Sequence, residues 1–194
     1  MNVLVIPEDF RKDQYILKPI IKAMFGYLGK PKARIDICNP PLLGGVGEAL
    51  KWSRIEEILE IYPTVDVFLL CIDRDGNPSR HQKLRTLEQK AAQLLSKPSI
   101  MIAENAWQEL EVWTLAGHEL PKDWSWKAIR ADPDPKEMYF LPFAEQQGFD
   151  RTMTNLAYKR LSEQAASRYK KVRQRCPEDI AQMEDRINTW LTAQ

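Results

Sequence analysis

The stretch VFLLCI, Val67 to Ile72, constrains the chain more than any other segment: six apolar residues in a row, closed by Asp73, Arg74, Asp75 and Gly76. An uninterrupted apolar run of this length has the composition of a strand buried on both faces. Such a strand belongs to a parallel sheet with helices packed on either side. The aspartates that stop it fit either a plain turn or a metal site.

The flanking chain repeats the same unit. Asn2 to Ile6 reads as a strand, and Lys12 to Leu28 as a helix with Tyr15, Ile16, Pro19, Ile20, Ala23 and Met24 on one stripe, kinked at Pro19. Ala33 to Cys38 is a short strand, 39–47 a loop with two prolines and three glycines, and Glu48 to Tyr62 a helix. Arg80 to Leu95 is helical, Ser99 to Ala103 is the fourth strand, and Asn105 to Ala116 is a helix ended by Gly117. This rhythm gives an α/β class, an open and mainly parallel sheet with helices on both faces. After Gly117 the pattern weakens. His118 to Pro135 reads as a long loop, Glu137 to Leu141 as a candidate fifth strand, and Thr152 to Lys171 and Glu178 to Leu191 as closing helices. The expected organisation is a core over 1–117, an irregular segment over 118–150, and a helical C-terminal extension over 151–194 packed on the core.

The 194 residues, 44% hydrophobic and 28% charged, suit one sizeable soluble domain. No apolar run is long enough for a signal peptide or a membrane span, so the expected location is cytoplasmic, with no membrane partner. Cys38, Cys71 and Cys176 are far apart, which argues against disulfides and a cysteine zinc site. The net charge of +1 hides an uneven distribution: between Arg151 and Arg175 eight basic residues face the single acid Glu163. A phosphate-rich partner and a solvated helix face both fit that segment.

Acids cluster at the strand ends. Glu8 and Asp9 follow the first strand and Asp73 and Asp75 the third; Glu104 follows the fourth, with Glu109 and Glu111 early in the next helix. Parallel strands bring these to one edge, where ligands of open α/β sheets bind. Asp73 and Asp75 lie about 6.6 Å apart on one side if the chain stays extended. Carboxylates facing one crevice need protons or a cation among them. A hard ion such as Mg²⁺, with Mn²⁺ as substitute, is the natural occupant, and neither His81 nor His118 has a zinc-ligand spacing. Taken singly, each acid also has an ordinary reading as a helix-start, turn or solvent-facing residue. DRDGNPS is not a calcium loop, since its glycine is at the fourth position and Leu84 occupies the twelfth. DRDG also resembles the nucleophile motif of haloacid dehalogenase phosphatases. That likeness gives an alternative, a phosphatase or phosphotransferase with Asp73 as nucleophile, although here the motif follows the third strand and Asn77 comes after the glycine. NPPLLGGVG fits a phosphate cradle or a simple turn, and Trp124 and Trp126 fit base stacking or packing.

With Glu8, Asp73, Asp75 and ENAWQELEVWTLAG together, the sequence resembles the TOPRIM fold of topoisomerases, DnaG-type primases and OLD-type nucleases. It is most similar to small stand-alone prokaryotic proteins of the RloB-like type from restriction and phage-defence loci. Residues 1–117 carry the resemblance, and Arg168 to Cys176 resembles a tyrosine-lysine stretch near the end of such proteins. The family pattern has EGxxE spacing after the first strand; here Asp9 replaces the glycine and Asp13 comes one residue late. The resemblance implies Mg²⁺-dependent phosphodiester hydrolysis. It implies metal ligands at Glu8, Asp73, Asp75, Glu109 and Glu111, and catalytic roles for Glu8, Asp73, Asp75 and Lys170 or Lys171. It also implies nucleic acid as partner through 151–175, a second copy of the chain, and a separately encoded ATPase, since no Walker motif is present. A non-catalytic TOPRIM-like binding subunit is the remaining alternative.

Overall fold

The computed structural model describes residues 1–194, the side chain of Arg151 excepted. Four strands, β1 (Asn2–Pro7), β2 (Arg34–Ile37), β3 (Val67–Asp73) and β4 (Ile100–Ala106), form a parallel sheet in the order β2-β1-β3-β4. Val5 lies opposite Ile37 on one side and Leu69 on the other, and Asp73 lies opposite Ala106. The α/β class expected from the sequence is the one observed. The chain steps outward from β1 to β2, then returns past β1 to place β3 and β4 on the opposite side. The order therefore reverses between β1 and β3, and a crevice opens beyond their carboxyl ends.

Strand side chains alternate between two cores, because successive residues point to opposite faces. Val3, Val5, Val67, Leu69, Cys71 and Ile102 face one, together with α1 (Phe10–Tyr27). Leu4, Ile6, Phe68, Leu70, Ile72 and Met101 face the other, covered by α3 (Trp52–Ile61) and α4 (Arg80–Leu94). Asp9 starts α1 by accepting a hydrogen bond from the Arg11 N–H at 2.9 Å. Pro19 removes one main-chain bond from α1, and the helix runs through it.

Several boundaries differ from expectation. The helix expected over 48–62 is two, α2 (Val46–Ala49) and α3. Strand β4 continues to Ala106, so Glu104 lies inside the strand, and α5 is only Glu111–Ala116. The turn between them is made by Gln108, at φ 76°. Segment 118–150 is not an irregular loop: it holds α6 (Trp126–Ala131), a π-helical turn (Lys136–Phe140) and α7 (Leu141–Gln146). The candidate fifth strand at Glu137 to Leu141 is therefore helical. Phe140 is buried there, and the next buried residues, Phe143 and Ala144 of α7, follow it at steps of three and four rather than two.

Beyond a 3₁₀ turn (Arg151–Met153), α8 (Thr154–Ser167) and α9 (Tyr169–Arg175) replace the single helix expected over 152–171. A π-helical turn (Pro177–Ala181) then leads into α10 (Gln182–Thr192). Ala157, Tyr158, Leu161 and Ala165 of α8 share the core of α1, so the C-terminal segment completes that core. It also closes the β4 edge. Arg186 of α10 donates to the Ala103 carbonyl at 3.4 Å, while the Ala103 N–H donates to Glu88 of α4 at 2.6 Å; the Trp107 N–H donates to Asp179 at 2.9 Å, and the Trp190 indole to the Pro98 carbonyl at 2.7 Å. Side chains thus occupy main-chain groups that would otherwise invite another strand. Among the described residues no helix is long and apolar enough to cross a membrane.

The end of α5 touches α8 backbone to backbone. A Cβ on Gly117 would stand 2.4 Å from the Ala165 Cα, while one on Gly26, near the end of α1, meets nothing within 4 Å. Gly117→Ala should lower unfolding stability by about 2–3 kcal/mol. Gly26→Ala should raise it by about 0.5 kcal/mol. Urea denaturation of the two variants checks the pair, and equal effects would contradict the packing described.

Candidate functional site

The crevice between β1 and β3 collects acids from three connections. Glu8 follows β1 directly, and Asp13 lies one turn into α1. The Asp13 carboxylate accepts the Asp9 N–H at 2.8 Å while Asp9 caps the helix in return. This is a capping box stretched by one residue, and it turns Asp13 back toward the strand end. Asp73 is the last residue of β3. Its backbone N–H points to a Glu8 carboxylate oxygen at 3.4 Å, and its own Oδ1 accepts the Leu110 N–H at 2.8 Å. Glu111 opens α5, is 7% exposed, and accepts the Tyr158 hydroxyl at 2.5 Å. Glu109 accepts the Lys136 N–H at 2.8 Å.

The two loops above the crevice are clamped together. The Gln108 carbonyl accepts the N–H groups of Arg74 and Asp75 at 2.7 and 3.2 Å, and its side-chain oxygen accepts the Gly76 N–H at 2.9 Å. Asp75 itself has φ 47°, so the chain is not extended there, and Asp73 and Asp75 do not project as a matched pair. Asp75 turns instead to the buried Arg80, 2.7 Å away, which also donates to the Asp73 carbonyl.

Burial and mutual repulsion leave these carboxyls reluctant to ionise. Burial pushes Asp13 up to about 8, helped by the charges of Glu111, Glu8 and Asp9. Burial also holds Asp73 well above the carboxylate range, with Glu111, Asp13 and Glu8 adding to it. Glu8 is raised by burial and then by Asp75, against the N–H groups of Asp73 and Val46 and the Arg80 charge. Glu111 is raised by burial, which outweighs the hydrogen bond from Tyr158. Glu109 rises to about 7, by burial and then Glu111.

Five of the acids expected from the sequence therefore lie around one crevice: Glu8, Asp73, Asp75, Glu109 and Glu111. Glu104 does not join them; it sits within β4 beside Arg85 and Arg186, 3.5 and 3.7 Å away. Lys170 and Lys171 are not the cations that act most strongly on the cluster. Lys171 pairs with Glu119, Lys170 is exposed on α9, and the positive charges facing the acids are Arg80 and Lys136. Much of the basic segment is committed to internal partners. Arg168 donates to the Gly117 carbonyl at 3.3 Å, Arg175 to that of His118 at 2.9 Å, and Arg173 binds Glu184 and Asp185 at 2.6 and 2.9 Å. The Arg151 side chain lies outside the described residues. Trp124 packs edge-on to Tyr139, and the Trp126 indole donates to the Arg175 carbonyl at 2.9 Å.

The pattern at strand ends omitted Arg80, Lys136 and Tyr158, and it left Asp13 one residue out of register. Only Asp13 and Arg80 carried a local signal, the first as a helix-start acid and the second as the basic residue ending DRDGNPSR. The donors are hard carboxylate oxygens without imidazole or thiolate, a chemistry that suits Mg²⁺ or Mn²⁺ over zinc. Among the described residues, no three of the His, Cys, Asp and Glu side chains stand in a geometry that would hold an ion, so binding would require carboxylates to rotate inward. Comparison with protein families, curated proteins and solved structures finds no match to this chain.

The buried carboxyls give a stability signature. Asp13 titrates near 8 in the folded protein; unfolded, it titrates near its ordinary value of about 3.9. Between these values the unfolded chain gives up a proton that the folded chain keeps, so stability falls as pH rises through the window. Asp13→Asn removes that loss. Without divalent ions it should be neutral near pH 4 and stabilising at pH 8, by up to roughly 5 kcal/mol across the span of about four pH units between the two values. Urea midpoints across the range test this, and a gain that did not grow with pH would refute it.

Proposed function

We propose that the protein is a Mg²⁺-dependent nuclease that hydrolyses phosphodiester bonds in DNA or RNA with a TOPRIM-like set of acids. The observation that carries this reading is the gathering of Glu8, Asp13, Asp73 and Glu111 where the strand order reverses, the position at which open α/β sheets bind ligands. Carboxyls this crowded keep their protons until a positive charge joins them, and a phosphate-bearing substrate brings its divalent ion to such a place. Asp73 and Glu8 would hold the ion, with Asp75, Glu109 and Glu111 around them. A bound Mg²⁺ or Mn²⁺ supplies acidification of a water and neutralisation of a phosphate oxygen.

The remaining work falls to the chain itself. The Leu110 N–H fixes the orientation of the Asp73 carboxyl through Oδ1. Glu8, raised by burial, is suited to take a proton from an attacking water onto its carboxylate. Arg80 and Lys136 place positive charge beside the crevice, where a phosphate gains negative charge during attack. Exposed Lys159 and Lys170 are available to a nucleic-acid backbone.

The test is incubation of the purified protein with single- and double-stranded DNA and RNA, with Mg²⁺, with Mn²⁺ and with chelator. Cleavage should require the metal and fall at least about 100-fold in Asp73→Asn, with the circular dichroism spectrum unchanged. Cleavage indifferent to chelator, or no cleavage of any substrate, would sink the reading. A trapped phospho-Asp73 would assign a phosphatase instead.

A further inference from the structure

We propose that the cavity beside the end of β4 binds a guanosine phosphate, the base held by Glu104, Asn105 and His81 and the phosphate by Arg74. The proposal goes beyond the metal-dependent reading: it needs no ion and uses none of the crevice carboxylates. The cavity has a volume of about 230 Å³ and is walled by the loop after β3, the start of α4, the last residues of β4 and the turn that leads into α10. Sites for drug-sized ligands run from about 300 to 1,000 Å³, so this one suits a single flat ring system.

The polar lining is buried and incompletely paired. Glu104 is 2% exposed and Asn105 7%. Glu104 Oε1 accepts the Asn105 N–H at 3.2 Å, while Oε2 accepts no hydrogen bond and has Arg85 and Arg186 at 3.5 and 3.7 Å. The Asn105 side chain makes one long bond, from Nδ2 to the Ala106 carbonyl at 3.4 Å, and its Oδ1 has no partner among the described residues. His81 is exposed at the other side, and burial and then the Arg85 charge favour its neutral ring. Its Nε2 accepts the Arg85 Nε–H at 3.2 Å, which leaves the proton on Nδ1. That Nδ1 stands 3.9 Å from Glu104 Oε1, too far for a direct hydrogen bond. Burial pushes Glu104 up to about 7, and a ligand N–H beside it would favour the charged form.

Two acceptors, Glu104 Oε1 and Asn105 Oδ1, and one donor, the His81 Nδ1–H, complement guanine, whose Watson–Crick edge carries two donor groups and one acceptor. Adenine, cytosine and uracil each bring a single donor group to that edge. A buried acceptor left without a donor is costly, so the count selects the base. Flat groups for stacking are present as well. Trp107 and Arg74 both line the cavity, with the guanidinium 3.9 Å over the indole, and unstacked bases rest on either kind of plane. The Arg74 N–H is fixed on the Gln108 carbonyl at 2.7 Å, and its guanidinium forms no ion pair among the described residues, which leaves its charge to a phosphate. The other acid of the lining, Glu178, is already paired with Arg130 at 2.5 Å.

The experiment is calorimetric titration of the full chain, in chelator, with guanosine, with the 5′-monophosphates of guanosine, adenosine, cytidine and uridine, and with a short single-stranded oligonucleotide containing one guanine. Guanosine monophosphate should bind at least about tenfold more tightly than the other three nucleotides. Arg74→Gln should weaken it about tenfold and leave guanosine unchanged, since only the phosphate contact is lost. Glu104→Gln should weaken guanosine and its monophosphate alike and bring guanine down to the level of adenine. Uptake of the nucleotide but not the oligonucleotide would support the site and assign a free nucleotide to it; uptake of both would support it and assign a guanine within a strand. Equal affinity for the four nucleotides, guanosine and its monophosphate weakened equally by Arg74→Gln, or no uptake of guanosine monophosphate at about 1 mM would overturn the proposal. If circular dichroism shows Glu104→Gln unfolded, the ranking of bases and Arg74→Gln still decide. The titration contains no divalent ion, so failure here leaves metal-dependent cleavage standing, and failure of cleavage leaves this site standing.

Discussion

Like charges held together out of water are the condition around which this molecule is arranged. Asp13, Asp73 and Glu111 are pressed into one crevice from α1, β3 and α5, and each raises the cost of ionising another. Left to themselves the side chains would swing apart into solvent. Three devices prevent it. The Asp9–Asp13 capping exchange fixes the start of α1, the Leu110 N–H holds Asp73, and the Tyr158 hydroxyl holds Glu111. The Gln108 clamp joins the loops that carry them. Repulsion maintained in this way by hydrogen bonds is relieved only by positive charge. A proton, an ammonium group and a divalent ion are three grades of the same answer.

Much of the sheet was legible in the sequence because its signal is local. VFLLCI has no polar residue, so both its faces must be covered, and that requirement implies helices above and below the sheet. Boundaries were less legible where tertiary contacts override local pattern. Asn105 and Ala106 read as the start of a helix, yet they pair with Ile72 and Asp73 and extend β4. Glu137 to Leu141 carries strand-like residues, but Phe140 is drawn onto the Tyr158 ring and the backbone follows in a π-helical turn. Likewise Asp73 and Asp75 read as a matched pair only if Arg74 is extended, and the clamp from Gln108 makes a turn instead.

Glu8, Asp73 and Asp75 were legible for the same reason the strands were: they stand at strand ends. The groups that complement them were not. Tyr158 and Lys136 lie far along the chain from Glu111 and Asp73, in segments where no spacing links them to the crevice. Charge counting misled in the opposite direction. It drew attention to Lys170 and Lys171, whereas α9 spends much of its charge on carbonyl groups at the end of α5 and on the carboxylates of α10. A sequence records how many charges a segment has, but their partners are fixed only when the helices pack.

A boundary at residue 117 divides the alternating strands and helices from the helices that follow, but it does not separate structure from site. The core that supports α1 is closed by Tyr158, Leu161 and Ala165, and Gly117 is a glycine because Ala165 occupies the space a side chain would need. Asp179 reaches back to the Trp107 N–H and the Trp113 indole, tying the loop between β4 and α5 to the last turns of the chain. That loop carries Gln108, Glu109 and Leu110, which set the positions of Asp75, Lys136 and Asp73. The C-terminal helices thus act on the crevice through its supports, and the acids of the first 117 residues are held partly by contacts from the segment beyond them.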